Sequence, residues 1–304
     1  MSLINFTQGE EAKASEVNDN FDTLREYLFG NGSDGSVTIS SDITLTEDKN
    51  YTDLIINSGI TVDTNGYIIK VSGTLTNNGT IQNNGSNGQD GADGVDGGNG
   101  GNAGVAHSSA SLAINVGGGG GGGAAGGSTG GSGGRFGEDG EDGEDADGGQ
   151  GAGGNGYYKT VMGFIIQMDT SNLHPYGIEP LLETRVPASP VTGGDGGYAN
   201  VSRAGSGGGG GGAGASGGII LIGASTIDNQ GTIQANGGDG GNGGVCADVD
   251  GDDGDGGDGG NGGVVALVYE TLIEGTVNIS GGSGGTGKNS GANGSAGKII
   301  KAQI

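Results

Sequence analysis

From Asn83 to Val105 the chain reads NNGSNGQDGADGVDGGNGGNAGV, and Gly85, Gly88, Gly91, Gly94, Gly97 and Gly100 keep a strict three-residue step. This phase constrains the fold more than any other feature, because helices repeat near 3.6 residues and strands at two. A Gly-X-Y triple helix has the right period but depends on long arrays enriched in proline. None of these six triplets contains proline, the chain holds 80 Gly against 4 Pro, and the frame fails at Ala103. The other conformation of period three is single-chain polyproline II, which advances about 3.1 Å per residue and sets every third residue along one edge. Glycine on that edge lets neighbouring rods approach closely and cross-link through backbone N–H groups and Cα–H contacts. The phase therefore predicts polyproline II rods packed side by side.

The same phase returns twice. Gly237, Gly240 and Gly243 hold one frame, VCADVD intervenes, and Gly251, Gly254, Gly257, Gly260 and Gly263 hold the next. Gly281, Gly284 and Gly287 are followed by KNS, then by Gly291, Gly294 and Gly297. Each set reads as two rods flanking a turn. Between the rods lie copies of another unit: IIKVSGTLTNNGTIQNNG from Ile68, IILIGASTIDNQGTIQANG from Ile219 and VVALVYETLIEGTVNISGG from Val264, with KIIKAQI as a closing half-copy. Each full copy has an apolar strand, a turn and a second strand of the form G-T-[IV], and such repeats stack to bury a shared core. From Val37 to Asn84 β-branched residues alternate with polar ones between Asn-Gly and Ser-Gly turns, again strand and turn repeated.

The expected fold is mainly β and irregular: an N-terminal helix, β-solenoid-like strand repeats and a bundle of polyproline II (polyglycine II) rods. Three regions follow: 1–30, a helical attachment or oligomerisation segment; 31–84, strand-rich repeats; and 85–304, the glycine-rich bundle interleaved with β repeats and carrying distal loops. The helix is SEVNDNFDTLREYLF, with Ser15 as its cap and Val17, Phe21, Leu24 and Leu28 at steps of four, three and four. A helix of about 14 residues is marginal alone in water. Its stripe must meet copies of itself, as in a homotrimer, another protein, or its own domain.

Glycine content this high, with 31% hydrophobic residues, ordinarily signals disorder. Compact apolar segments such as GYIIKV, GGIILIGA and GGVVALVYE argue for order instead. A net charge of −25 repels phosphate backbones and anionic headgroups, so neither nucleic acid nor a membrane surface is an expected partner. Cys246 is the one cysteine and cannot form an internal disulfide. The N-terminal residues lack the features of a secretory signal, and no apolar run approaches the roughly 18 residues of a membrane span, which predicts synthesis and use without conventional export.

The triplet rods over 85–297, together with VGGGGGGGAAGG and SGGGGGGAGASGG, resemble the polyglycine II sandwiches of T-even-type bacteriophage tail-tip adhesins. More loosely, they are similar to a glycine-rich antifreeze protein. INFTQGEEAKASEVNDNFDTL looks like the opening of many phage tail-fibre and tail-tip proteins, in which an A-S-x-V-N-x-N-F stretch begins the attachment segment. The resemblance implies a virion tail protein made in the host cytoplasm, joined to other tail proteins through residues 1–30 and binding a bacterial surface receptor, protein or glycan. A purely structural fibre or adaptor component is the alternative. Ice binding ranks last, because the X and Y positions are largely Asp, Asn and Gly rather than flat ranks of Thr or Ala.

Catalytic motifs are scarce, and no enzyme activity, cofactor or metal is expected. Glu47, Asp53 and Asp63 could suggest the paired carboxylates of a glycan depolymerase, but acids in strand turns are expected as solvated loop residues. Neither histidine has a recognisable Ser or Cys partner motif. GEDGEDGEDADGG and CADVDGDDGDGGDGG miss the EF-hand pattern, since Asp253 stands where glycine is needed. The default reading of these acids is solubility.

Recognition is expected in the interruptions. The segment from Tyr157 to Val191 holds three of the eight tyrosines, one of the two histidines and all four prolines, and VAHSSASLAINV from Val105 is a shorter one. If each rod makes one straight pass, both fall at the end away from the strands, together with VCADVD and KNS. The expected receptor contacts are Tyr157, Tyr158, His174 and Tyr176, with His107 and Leu112, because large amphipathic rings bury area at low entropy cost.

Overall fold

The computed structural model describes residues 13–94, 196, 207–247 and 251–304. One helix, α1 (Ala14–Phe29), precedes β1 (Gly35–Ile39), β2 (Ile43–Thr44), β3 (Lys49–Ile56), β4 (Thr61–Asp63), β5 (Ile69–Asn77) and β6 (Thr80–Gln82). After these come β7 (Ile219–Asn229), β8 (Thr232–Gln234), β9 (Val264–Ile273), β10 (Thr276–Asn278) and β11 (Lys298–Gln303). The odd-numbered strands make a six-stranded sheet in sequence order, and the even-numbered ones a five-stranded sheet in the same progression. Every strand pairing among the described residues is parallel.

The three sequence copies are the pairs β5–β6, β7–β8 and β9–β10, and the half-copy is β11. Equivalent residues lie in register: Leu75 opposite Ile227 and Ile227 opposite Leu272 in the large sheet, Ile81 opposite Ile233 and Ile233 opposite Val277 in the small one. Alternation puts Leu54, Ile56, Leu75 and Ile227 into one core with Val62, Ile81 and Ile233, all fully buried. A register shift between Val71 and Thr74 interrupts the alternation. There Gly73 lies beside Asp53, whose carboxylate accepts the Thr74 N–H at 3.0 Å and the Ser36 hydroxyl at 3.1 Å.

At one corner the core is polar. Asn77 and Asn229 are buried, and Asn77 Nδ2 donates to Asn229 Oδ1 at 2.7 Å and to the Thr232 carbonyl at 3.2 Å. Asn77 Oδ1 accepts the Gly79 N–H, and Asn229 Nδ2 passes the pattern on to the Thr276 carbonyl. These side chains take up backbone groups that the turn between the two sheets would otherwise leave unpaired.

The strands continue into glycine-rich segments: I (83–94) leaves β6, III (235–246) leaves β8 and V (280–287) leaves β10, while II (207–218), IV (252–263) and VI (289–297) lead into β7, β9 and β11. Their amides bond every third residue. Gly85, Gly88, Gly91 and Gly94 donate to the carbonyls of Asn236, Asp239, Asn242 and Val245, so segments I and III run the same way. Segments III and V are linked likewise, as are II to IV and IV to VI. Between the two groups the direction reverses: Gly238, Gly241 and Gly244 donate to Ala215, Gly212 and Gly209.

The sheet register persists through these segments. The 152-residue spacing between bonded residues of I and III is the spacing that pairs Ile81 with Ile233. The 44-residue spacing of III and V matches Ile233 with Val277, and the 34-residue spacing of IV and VI matches Val264 with Lys298. I, III and V thus prolong the small sheet, and II, IV and VI the large one.

Glycine is required here by close approach. No triplet glycine among the described residues has φ in the left-handed region, yet a Cβ on Gly88 would run into the Gly212 carbonyl, and one on Gly241 into the Gln89 carbonyl. Residues 207–218, all glycine, alanine or serine, are buried throughout.

The helix departs from expectation at both ends. Ser15 lies inside α1; the N-cap is Lys13, whose N–H donates to the Glu16 carboxylate at 3.3 Å. At the other end Leu28 and Phe29 are buried near β5 and β7, and Gly223 leaves room for the Leu28 carbonyl where a Cβ would collide. Lys70 Nζ donates to the Tyr27 carbonyl at 2.8 Å, and Arg25 pairs with Glu270. The last turn of the stripe therefore packs on the chain's own large sheet, while Phe21 remains 59% exposed.

Candidate functional site

Because I, III and V run away from the strands and II, IV and VI return, their far ends gather opposite the sheets. There the interruption between V and VI meets the start of segment IV. Lys288 Nζ donates to Asp252 Oδ2 at 2.7 Å, and the Lys288 N–H donates to the Gly254 carbonyl. The bond to Asp252 raises the Lys288 pKa above its ordinary value and holds the ammonium charged. Cys246 N–H donates to Asp253 Oδ1 at 2.8 Å, and both oxygens of Asp255 accept from the Asn289 amide group. Val245, tied to segment I by its carbonyl and its N–H, leaves its side chain 57% exposed.

Lys288 of KNS thus lies beside the residues that follow VCADVD, whose last three, 248–250, lie outside the described residues. His107, Leu112, Tyr157, Tyr158, His174 and Tyr176 lie outside the described residues. The pairing of Lys288 with Asp252 carried no signal in the sequence, since the two residues are 36 positions apart.

The acids and asparagines of the triplets have a different role from the expected one. In ten places an Asx-Gly dipeptide grips one residue of the next parallel segment with two bonds: the glycine N–H donates to that residue's carbonyl, and the Asx Oδ1 accepts its N–H. Asn87-Gly88 grips Asp239, Asp239-Gly240 grips Ser283, and Asp258-Gly259 grips Ala292. The solvent-facing acids expected for solubility thus take a second part, since a backbone N–H lies within bonding reach of each Oδ1 and needs an acceptor; GEDGEDGEDADGG lies outside the described residues. Aspartate and asparagine serve equally in the grip because its bond to the backbone N–H uses only Oδ1. Segments V and VI, which have no later parallel neighbour among the described residues, carry Ser280, Ser283 and Thr286, or Ser290, Asn293 and Ala296, before their glycines. Across I, III and V the outer face forms a shallow polar groove lined by Asn87, Gln89, Asp90, Asp239, Asn242 and Ser283.

The three acids of the strand region also have structural partners. Asp53 holds the register shift, Asp63 accepts the Asn65 N–H at 2.8 Å, and Glu47 accepts from Lys49 at 2.6 Å. Among the described residues no group of three or more His, Cys, Asp or Glu side chains could hold a metal ion. No family model matches the chain, and neither a curated protein nor a solved structure shows significant similarity to it.

Proposed function

We propose that this chain is a tail-fibre or tail-tip protein of a bacteriophage virion that binds a host surface receptor through loops at the far end of a glycine-rich bundle. In this reading the alternation of strands between two parallel sheets is a β-solenoid, and segments I to VI are polyproline II rods that extend it. Support for rods comes from the three-residue hydrogen-bond repeat, the lack of left-handed φ at the triplet glycines and the carbonyls occupying their Cβ positions. The observation that carries the functional reading is that Lys288, in the interruption between V and VI, is joined at the far tip to Asp252 at the start of segment IV, just after VCADVD. Rigid elements that gather loops at one end present them to a target at low ordering cost. The long interruption from Tyr157 to Val191 then belongs to the same tip and supplies the receptor contact. Residues 1–30 attach the chain to the virion, with the exposed Phe21 as an anchor point.

Replacing residues 157–191 by a short Gly-Ser linker abolishes adsorption of the protein to host cells while leaving its circular dichroism and melting unchanged. Full adsorption by that folded variant contradicts receptor binding by this interruption. Collapse of the fold assigns it the part of a structural cap.

A further inference from the structure

We propose that Asn31 is a site of spontaneous covalent modification, at which succinimide formation loosens the helix from the sheet. Nine Asn-Gly dipeptides lie among the described residues, the sequence in which such cyclisation meets least steric resistance. In five of them, at Asn84, Asn87, Asn236, Asn242 and Asn261, the glycine N–H donates to a carbonyl of the next segment and the Asn Oδ1 is gripped by the same residue. The attacking nitrogen is occupied and the side chain is fixed. Gly294 donates to the Gly282 carbonyl and Gly79 to Asn77 Oδ1, which occupies two more. Asn65-Gly66 sits in a turn closed by Tyr67 N–H on the Thr64 carbonyl, with Gly66 buried.

Asn31-Gly32 combines exposure with a glycine N–H that no carbonyl among the described residues holds. Asn31 is exposed in the connection from α1 to β1, and the Gly32 N–H has no hydrogen bond among the described residues. Asn31 Oδ1 accepts the Ser33 N–H at 3.0 Å, which polarises Cγ and stabilises the oxyanion that forms on attack. The Gly32 nitrogen gives its proton to hydroxide and bonds to Asn31 Cγ; the water so formed returns a proton to Nδ2, the Cγ–Nδ2 bond breaks, and ammonia leaves with hydroxide regenerated. Water then opens the ring at either carbonyl, giving aspartate or isoaspartate.

The connection has no slack for that product. A Cβ on Gly30 would lie 2.7 Å from Asn50 Oδ1 and 2.9 Å from Lys70 Cβ, and one on Gly32 would lie 2.7 Å from Thr52 Oγ1. Isoaspartate lengthens the main chain by a methylene between these two glycines. Either product also places a negative charge just past the C-terminus of α1, where the helix dipole disfavours it. Leu28 and Phe29 are the groups that lose their seat.

The full chain is aged in mildly alkaline buffer, then mapped by mass spectrometry and by enzymatic methylation of isoaspartate. In the folded protein Asn31 converts at least about tenfold faster than any of the five gripped asparagines, because those must first open locally. In denaturant the rates converge. Equal rates in the folded chain, or survival of Asn31 while gripped sites convert, overturns the proposal. Aged protein is cut within α1 by protease faster than fresh protein, and Asn31→Gln abolishes that difference. Equal cleavage of aged and fresh chains rejects the loosening of the helix.

Discussion

Alanine at Gly241 destabilises the chain by about 3 kcal/mol, the upper range for forcing extra volume into a packed interior. The added Cβ meets the Gln89 carbonyl, which is backbone and cannot rotate away. Segment III cannot retreat either, because the Gly241 N–H is held by the Gly212 carbonyl at 2.8 Å on its other side. Gly59→Ala is the control: its φ is +78° with no atom near the Cβ position, so only the left-handed backbone is penalised, by about 1 kcal/mol. Denaturant titration of both variants checks the ranking. A smaller loss at Gly241 than at Gly59 would mean that the segments are not in contact.

Asn77→Ala costs about 3 kcal/mol, since it leaves several buried polar groups without partners rather than removing one bond. Asn229 Oδ1 and the Gly79 N–H lose their partner together, in a corner from which water is excluded. The same change at Asn229 removes the other half of the ladder. The double variant should therefore lose less than the sum of the singles, because the two side chains share one bond. Strict additivity in urea titrations would show that they act independently.

Much of this architecture was legible in the sequence. The G-T-[IV] copies marked β5 to β10 and KIIKAQI marked β11, because a strand's core face follows from local alternation. The triplet step was legible too, since it reports on the chain's own conformation. The partners were not. Asn87 looks the same in a solvated loop as in a grip on Asp239, a residue 152 positions away, and solvation is the commoner fate of such residues. The docking of Leu28 and Phe29 was hidden for a related reason: the recess they need is made by Gly223, which reads only as a weak spot in a strand. Ser15 has the chemistry of a cap, yet the N-cap is Lys13, two residues earlier, and Glu16 takes its backbone N–H instead. At the far end, the place of KNS followed from the triplet frames on either side of it. The pairing of Lys288 with Asp252 did not, because it depends on how two turns face each other.

Hydrogen exchange at single-residue resolution tests most directly whether the glycine-rich half is a packed continuation of the sheets. The amides of Gly88, Gly241 and Gly257, bonded to Asp239, Gly212 and Gly241, should exchange as slowly as those of Ile81 and Ile233 in the strands, since one register runs through both. Exchange of the three glycine amides at the rate of an unstructured peptide, beside protected strands, would contradict it.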